Sequence, residues 1–362
     1  MIAAVRGIAQ RDRALDGLAV LLDPGSLGHL VGARALIRHI RYKPATSLLV
    51  SFETPHGAFW AGVWRHADKP ESARRRNSAV SRLPGIPHSA VGPARSDRVL
   101  TAAIARAEHV EPVLREASVV RHNPGRRLVL RSRDEYVKTA PGRAETALRH
   151  ARRLHDAGVP TVPVRRICDD DTWASRAWGS GDLASHPSER HAAAAGAALA
   201  RVHAHPSHAP VQETTDDRAA RAVDAVRTVL PALGDRAHAL SLRRPRTGHR
   251  TLVHGDFSAD QVLVDAREDV RLIDLDRMGT GDPARDLATF AVEEHVRTGA
   301  LSLTTALFAA YRSSGGIVTE GEWRSWMPLC ALERAIEPFR RCEPEWPMRV
   351  ESRLRLAGEC RA

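Results

Sequence analysis

The sequence predicts an α+β fold in which a strand-rich first half precedes a mainly helical second half. Short apolar runs separated by Pro, Gly and acidic turns dominate up to about residue 180, and apolar residues at helical spacing dominate after residue 188. Strands that come before helices, rather than alternating with them, are typical of an α+β architecture. The length of 362 residues allows two lobes with a substantial core, or one domain with an accessory piece.

Two similar stretches in the first half each predict a three-stranded meander. Residues 40–50 and 120–130 both read as a strand, a basic turn with proline and a second strand, and third strands follow at Ala58–Trp64 and Glu135–Thr139. The offset of 80 positions indicates a duplicated unit, although two unrelated hairpins would show the same weak similarity.

The segment between the meanders, residues 66–98, is rich in Arg, Ser, Pro and Asp and lacks periodicity, which favours a linker or a long loop. We therefore expect three parts. Residues 1–110 would form an N-terminal, β-containing cap or accessory segment with its linker, packed on the next part. Residues 111–180 would form a small strand-rich lobe, and residues 181–362 a helical lobe.

The elements after the second meander can be placed in order. A helix follows Pro141 and ends near Gly158, and strands at 162–167 and 172–178 are joined by an acidic turn. Ser188 is placed to cap the first helix of the second half. Further helices are predicted at residues 216–232, 283–297, 301–314, 319–340 and 346–359.

Composition restricts the partners and the setting of the chain. Hydrophobic residues make up 43% of the sequence, no apolar run approaches the length of a membrane span, and the first residues lack the features of a secretory signal. Cys168, Cys330, Cys342 and Cys360 form neither a Cys-x-x-Cys pair nor a disulfide framework. We expect a cytoplasmic protein without a membrane partner.

The net charge of +11 would by itself suggest a nucleic-acid partner. However, the arginines are spread along the chain, aromatic residues make up only 4%, and no basic stripe is interleaved with them. This pattern argues against nucleic acid as a partner. A nucleic-acid-binding protein stays an alternative that strongly salt-dependent binding would identify.

The strongest functional signal is the tripeptide His254-Gly255-Asp256, which follows an apolar run. Gln261 comes five positions after the aspartate, and a second apolar run ends in Asp274. This is the layout of a kinase active site: a base on a loop, an amide-bearing metal ligand, and a metal-binding carboxylate on the next hairpin.

The spacing of these residues suits phosphoryl transfer. That reaction needs a carboxylate to orient the attacking hydroxyl and oxygen ligands to hold Mg²⁺ against the phosphates. A hairpin of strands 262–264 and 270–275 would place Asp274 beside Gln261, and Asp276 would share its strand face as a third oxygen ligand. The alternative is a solvated loop followed by a hairpin that ends in carboxylates.

Lys138 lies in the third strand of the second meander, where the first meander has no lysine. Glu145 follows in the next helix, and a strand lysine with a helical glutamate is the ion pair that aims a kinase lysine at the α- and β-phosphates. The alternative is a surface lysine and a solvated glutamate. No Gly-rich loop precedes them, so the turn that contains Arg126 would cover the phosphates instead.

The segment after the strand at 172–178 breaks the strand pattern. In a kinase interpretation it is the hinge between the lobes, where backbone groups around Ala177 and Trp178 would meet the adenine.

These motifs resemble those of the aminoglycoside phosphotransferase and choline-kinase-like group, small-molecule kinases with a protein-kinase-like fold. The resemblance spans residues 111–340, and residues 281–288 read Gly-Asp-Pro-Ala-Arg-Asp-Leu-Ala, the group's Gly-Asp-Pro-x-x-Asp-Leu-Ala. It implies a two-lobed kinase-like fold, ATP and Mg²⁺ as cofactors, Asp256 as the base and Asp274 as the main Mg²⁺ ligand. It also implies that Asp286 ties the loop down, and we expect His254 to orient it.

One departure from the group concerns Gln261, where its members have Asn. The amide oxygen is the same but lies one methylene further from the backbone. The sequence therefore predicts an ATP- and Mg²⁺-dependent O-phosphotransferase that acts on a small hydroxylated molecule, such as an aminoglycoside, a nucleoside antibiotic or a sugar. The alternative is a catalytically impaired, nucleotide-binding homologue with a regulatory role.

Overall fold

The computed structural model describes residues 2–207, 213–245 and 248–359, so Cys360 lies outside the described residues. Two antiparallel sheets form most of the first half, and helices form most of the second half. The predicted α+β class is confirmed. Within the described residues, no helix combines the length and hydrophobicity that crossing a bilayer requires.

The N-terminal part is a four-stranded antiparallel sheet flanked by helices. Its strands follow one another in space as in sequence: β1 (Leu36–Lys43), β2 (Ser47–Thr54), β3 (Gly57–Trp64) and β4 (Ser89–Pro93). Its helices are α1 (Ile2–Arg11), α2 (Leu18–Leu21), α3 (Pro24–Val31) and α4 (Asp68–Arg76). The next helix, α5 (Thr101–Val110), packs instead on the sheet that follows it in the chain.

The prediction of a linker at residues 66–98 is wrong, because α4 and β4 lie within it. The few apolar side chains of this segment are buried: Ala73 of α4 and Val80 pack with Trp60 and Trp64 of β3. The arginines that suggested a loop occupy the other face of α4, where charge and structure are compatible.

A second antiparallel sheet follows, with the strand order β5-β6-β7-β9-β8. Its strands are β5 (Ser118–Asn123), β6 (Arg127–Ser132), β7 (Glu135–Thr139), β8 (Val164–Cys168) and β9 (Thr172–Arg176), and α6 (Ala144–Asp156) connects β7 to β8. Both predicted meanders exist, and the first strand of each carries a register shift, near Ile37 in β1 and near Val119 in β5. The shifts are not at equivalent positions of the offset of 80, and β8 has one as well, so the duplicated unit stays a prediction.

The helical lobe carries the loops of the predicted site on short strands. Its helices are α7 (Glu189–His203), α8 (Thr215–Val229), α9 (Gly234–Ser241), α10 (Pro283–Thr298), α11 (Ser302–Ser313), α12 (Glu320–Glu333), α13 (Glu337–Arg340) and α14 (Trp346–Glu359). Strands β10 (Gly181–Asp182), β12 (Val262–Val264) and β13 (Val270–Leu272) form one small sheet, and β11 (Thr251–Val253) pairs with β14 (Gly279–Gly281).

The helix predicted at 319–340 is interrupted between α12 and α13. Pro338 lacks the N–H that would continue the helix from Arg334, so the chain turns and restarts with proline in the first turn of α13. Helix α9 was not predicted from the sequence.

The N-terminal part packs on both lobes. Leu22 and Phe52 share a buried apolar cluster with Val229 at the end of α8 and with Phe339 and Trp346. On the other side, β1 approaches β5, where Arg41 donates hydrogen bonds to the carbonyls of Pro124 and Gly125 at 3.1 and 3.2 Å. The cap therefore shares a buried apolar cluster with α8, α13 and α14 of the helical lobe.

Candidate active site

The His254-Gly255-Asp256 loop follows β11 and is held by the start of α10. The carboxylate of Asp286 accepts the backbone N–H groups of His254 and Gly255 at 2.6 and 2.9 Å. Nε2 of the buried His254 lies 2.8 Å from the carbonyl of Ile273, which can only accept, so this nitrogen donates. His254 thereby fixes the loop to the end of β13.

Gly255 provides the sharp turn of this loop. Its φ is +84°, a conformation that favours glycine, and a Cβ atom there would lie 2.5 Å from the carbonyl oxygen of Arg277. The loop can therefore close tightly against the segment after β13 and direct Asp256 into the cleft.

A buried chain of hydrogen bonds supports Asp286, the residue that holds this loop. Nε2 of His203 contacts Asp286 at 3.2 Å, and Nδ1 of His203 contacts the hydroxyl of Tyr311 at 3.1 Å. Burial alone would raise the pKa of Asp286, but the hydrogen bond and charge of His203 hold it below its ordinary value. Asp286 is the structural tie that the resemblance implies, and His203 reinforces it.

Both carboxylate oxygens of Asp256 are paired with arginines. The guanidinium of Arg334 lies 2.9 Å from Oδ1, and that of Arg277 lies 2.9 Å from Oδ2. Arg334 is also ion-paired with Glu293 at 2.6 Å. Burial alone would raise the pKa of Asp256, but the two arginines hold it below its ordinary value, so the carboxylate is ionised at neutral pH.

Asp274 is paired with the cations of the strand-rich lobe. Lys138 of β7 contacts its Oδ1, and Arg127 of β6 lies 3.5 Å from its Oδ2. Burial alone would raise the pKa of Asp274, but Lys138 and Arg127 hold it far below its ordinary value. Lys138 also lies 5.6 Å from the centre of the Trp173 ring. The predicted lysine and the predicted metal ligand therefore meet in one cleft.

The predicted strand through Leu275 is wrong, because β13 ends at Leu272. Asp274 has a left-handed backbone with φ at +61°, which aspartate tolerates, and a single 3₁₀ turn follows it. Asp276 lies in that turn and does not share a strand face with Asp274. It nevertheless borders the same cleft.

Gln261 presents a free oxygen to this site. Its amide nitrogen donates to Asp260 at 3.2 Å, whereas its Oε1 is buried and has no hydrogen-bond partner among the described residues. The backbone carbonyl of Gln261 accepts from the N–H of Ile273 at 3.1 Å, which fixes it across from the residue before Asp274.

The predicted ion pair between Lys138 and Glu145 is wrong. Glu145 is ion-paired with Arg166 of β8, and 60% of its side chain is exposed. Its position in the first turn of α6 places it beside the β8–β9 turn, where its backbone N–H donates to Asp170. Lys138 is oriented by Asp274 instead.

The other residues predicted to contact the nucleotide differ in their surroundings. The side chain of Arg126 lies in the β5–β6 turn and borders the cleft. The N–H of Ala177 donates to the carbonyl of Asp134 at 2.6 Å and is therefore already engaged. Arg271 stacks on Trp178 at 4.8 Å from the ring centre. Adenine recognition around Trp178 stays a prediction.

The cleft between the lobes has a volume of about 850 Å³. Asp256, Gln261, Asp274 and Asp276 border it. The N-terminal part also reaches it, through residues 39–44 at the end of β1. Sequence reasoning missed this wall and also Arg334, since neither carries a local motif.

The donor set fits Mg²⁺ in the presence of a phosphate ligand. Within the described residues, no three His, Cys, Asp or Glu side chains cluster closely enough to hold a metal by themselves. Asp274 and the unpartnered Oε1 of Gln261 offer two oxygens, and Mg²⁺ is ordinarily held by one or two protein ligands with phosphate and water.

In a comparison with known families, the model of the phosphotransferase enzyme family matches residues 111–329. The matched segment is more than half of the chain and includes every predicted site residue, with the N-terminal part and α13 and α14 outside it. Comparison with curated proteins found no match.

Comparison with solved structures found several similar proteins. A choline/ethanolamine kinase family protein from Mesorhizobium loti is 18% identical, with a TM-score of 0.49 over 72% of this chain and 94% of that chain. An aminoglycoside phosphotransferase from Streptomyces rimosus is 19% identical, with a TM-score of 0.49 over 67% of this chain and 98% of that chain. A macrolide 2'-phosphotransferase from Brachybacterium faecium is 18% identical, with a TM-score of 0.43 over 72% and 97%.

Proposed function

Because the chain belongs to the phosphotransferase enzyme family, we propose that it transfers the γ-phosphate of ATP to a hydroxyl group of a small molecule. The observation that carries the proposal is that Asp256, Gln261 and Asp274 border one cleft between the lobes, where Lys138 contacts Asp274. These are the types of group that phosphoryl transfer requires.

Asp256 is proposed to orient the acceptor hydroxyl and take its proton. Its carboxylate is ionised at neutral pH, and each oxygen retains a lone pair beside its arginine contact. A low pKa makes it a weak base, which suits phosphoryl transfer because positioning matters more there than proton abstraction.

The other groups are proposed to bind the nucleotide. Lys138 and Arg127 supply positive charge where this chain lacks a Gly-rich loop. Asp274 with Gln261 would hold Mg²⁺, with Asp276 as a further oxygen ligand. When bound, Mg²⁺ neutralises the phosphate oxygens and fixes their geometry.

A regulatory, nucleotide-binding homologue is the second candidate. Two observations favour it: Gln261 replaces the Asn of the resembling group, and two arginines occupy the carboxylate of Asp256. It predicts nucleotide binding without turnover.

The test is Mg²⁺-dependent ATP consumption against a panel of aminoglycosides, nucleoside antibiotics, amino sugars, disaccharides and acidic sugars. We expect turnover with one class, and a loss of roughly 10²–10⁴-fold in the variant Asp256→Asn. Nucleotide binding should survive that substitution, because Asp256 does not contact the phosphate-binding cations. Wild-type turnover by Asp256→Asn would refute the assigned base, and tight ATP binding with no turnover across the panel would favour the regulatory candidate.

A further inference from the structure

The charge of the cleft has a specific origin. Among the described residues, thirteen Arg and Lys side chains line the cleft against eight Asp and Glu side chains. Residues 111–329 contribute six of each sign, so the whole positive excess comes from outside the segment that matches the family. It is contributed by β1 and by the chain after α12.

Arg126 lies where these segments meet the β5–β6 turn. Its guanidinium makes no ion pair and no side-chain hydrogen bond within the described part of the chain. Burial lowers its pKa, and four cations that border the same cleft lower it further: Arg41, Arg340, Arg277 and Arg221.

The neighbouring cations are only partly neutralised. Arg340 pairs with Glu337 at 2.6 Å, and Arg277 pairs with Asp256 at 2.9 Å. Arg41 donates to backbone carbonyls of the β5–β6 turn, and Asp97 acts on its charge without forming an ion pair. Among the described residues, neither Arg41 nor Arg126 forms an ion pair, and neighbouring guanidinium groups without an ion-pair partner repel one another unless an anion joins them.

His39 lies in the same wall and is neutral at neutral pH. Burial lowers its pKa to about 4, and Arg121, Arg340 and Arg126 contribute to the lowering against the opposing effect of Glu337. His39 therefore adds no charge of its own to this wall of the cleft.

These cations are distinct from those on the nucleotide side. Lys138 and Arg127 contact Asp274, whereas Arg126 is close to Arg41, Arg277 and Arg340, on the side of Asp256 and α13. An acceptor whose hydroxyl meets Asp256 would extend toward this second group.

We propose that the acceptor is an anion: a hydroxylated small molecule whose carboxylate or phosphate group is bound by Arg126 and Arg340 beside Arg41. This inference rests on the proposed function, because only phosphotransfer makes the ligand beside the nucleotide an acceptor. Arginine binds both anions through paired, charge-assisted hydrogen bonds. A cationic amino sugar would meet the same uncompensated charge and be repelled.

The test is a binding measurement that needs no turnover. Calorimetry of the full chain, with and without a Mg²⁺-bound non-hydrolysable ATP analogue, would use four sugars of one scaffold: D-glucosamine, D-glucose, D-glucuronate and D-glucose 6-phosphate. We expect one of the two anions to bind roughly tenfold or more tightly than D-glucose, and D-glucosamine to bind most weakly. Which anion binds better distinguishes carboxylate from phosphate.

Variants assign the effect to the cleft. Arg126→Gln and Arg340→Gln should each remove most of the preference for the anion, whereas Arg38→Gln should retain it. Arg38 lies on the same strand as Arg41 but is 54% exposed and pairs with Glu53 outside the cleft.

Three results would overturn the proposal. One is equal binding of the four sugars, including no binding by any. Another is a preference that disappears when the ATP analogue is bound, since the cations would then serve the nucleotide. The third is a preference that survives both cleft substitutions. Because phosphotransfer is not measured, turnover with a neutral or cationic acceptor in the earlier panel would uphold the proposed function while refuting the anionic acceptor.

Discussion

At the scale of single residues, the ionisation of the two carboxylates in the site depends on the cations that pair with each of them. Asp256 and Asp274 are both carboxylates in one cleft, yet they have different partners: two arginines of the helical lobe for Asp256, and Lys138 with Arg127 of the sheet for Asp274. Cations of the helical lobe therefore keep Asp256 ionised, and cations of the strand-rich lobe keep Asp274 ionised.

The pairing with Arg277 has a measurable consequence for pH dependence. Removing that cation in Arg277→Gln makes the charged form of Asp256 less favourable, so its pKa rises. Activity should then be lost at a higher pH on the acid side, whereas the wild type should lose it only below the ordinary aspartate value of 3.8. The acid limb of kcat/KM measures this, and a limb that coincides with that of the wild type would contradict it.

Arg190→Gln is the matched control for that experiment. Arg190 pairs with Glu268 on the surface, and 77% of its side chain is exposed. Its substitution removes the same charge far from the cleft and should leave the acid limb in place.

A substitution at Gln261 should weaken Mg²⁺ binding while leaving the stability of the fold nearly unchanged. In Gln261→Leu the volume is similar but the unpartnered Oε1 is lost, so the free energy of unfolding should change by less than about 1 kcal/mol. The Mg²⁺ concentration for half-maximal activity should rise several-fold, because one oxygen ligand is missing. Denaturant unfolding and a Mg²⁺ titration check the two parts, and an unchanged Mg²⁺ requirement would remove Gln261 from the metal site.

At the scale of elements, the turn at Gly255 determines where Asp256 points. In Gly255→Ala the added Cβ would collide with the carbonyl of Arg277 in a left-handed backbone. We expect a loss of roughly 1–3 kcal/mol in unfolding free energy and a fall in kcat as Asp256 moves. Denaturant unfolding combined with kinetics tests this, with Gly299→Ala as a control, since its φ is +74° but no atom lies within 4 Å. Equal behaviour of the two variants would mean that the close contact is unimportant.

Elements with local signals were predicted well from the sequence. Ser188 caps α7 by accepting the N–H of His191, and the β12–β13 hairpin lies where the apolar runs predicted it. The errors arose where a local pattern was compatible with two partners. Glu145 follows Lys138 at a suitable distance, but α6 turns it toward Arg166, and only the three-dimensional packing of α6 decides between them.

The residues of the candidate site also differ in whether the local sequence carries a signal for them. Asp256, Gln261 and Asp274 were identified because their spacing in the chain is part of the chemistry. Arg334 was missed because it meets Asp256 across 78 residues and belongs to no motif. The strand end at Asp274 was misplaced because apolar residues continue past β13, while the left-handed backbone has no sequence signal that distinguishes it from an extended aspartate.

At the scale of the whole molecule, the N-terminal part is an integral part of the fold. Leu22 and Phe52 are buried against Val229, Phe339 and Trp346, which belong to α8, α13 and α14. The sequence predicted the strands of this part but not its packing, because contacts between the first 60 residues and the last 30 leave no local pattern.

Removing residues 1–110 should therefore prevent folding of the remainder. Residues 111–362 alone would expose a large apolar surface around Phe339 and Trp346, and we expect an insoluble product or one without a cooperative unfolding transition. Circular dichroism during heating, with the full chain beside it, measures this. A soluble, cooperatively unfolding fragment would show instead that the cap is a separable domain.

Arg41 shows what this integration means for adaptation of the protein. Its guanidinium holds the β5–β6 turn by two carbonyl groups and at the same time forms part of the cleft wall. A substitution at this position would change the turn that is proposed to cover the nucleotide and the proposed surroundings of the acceptor together. A change of acceptor specificity could therefore begin with a single substitution at Arg340 or Arg126. A substitution at Arg41 would also disturb the β5–β6 turn, so a second, compensating substitution would be needed to keep nucleotide binding intact.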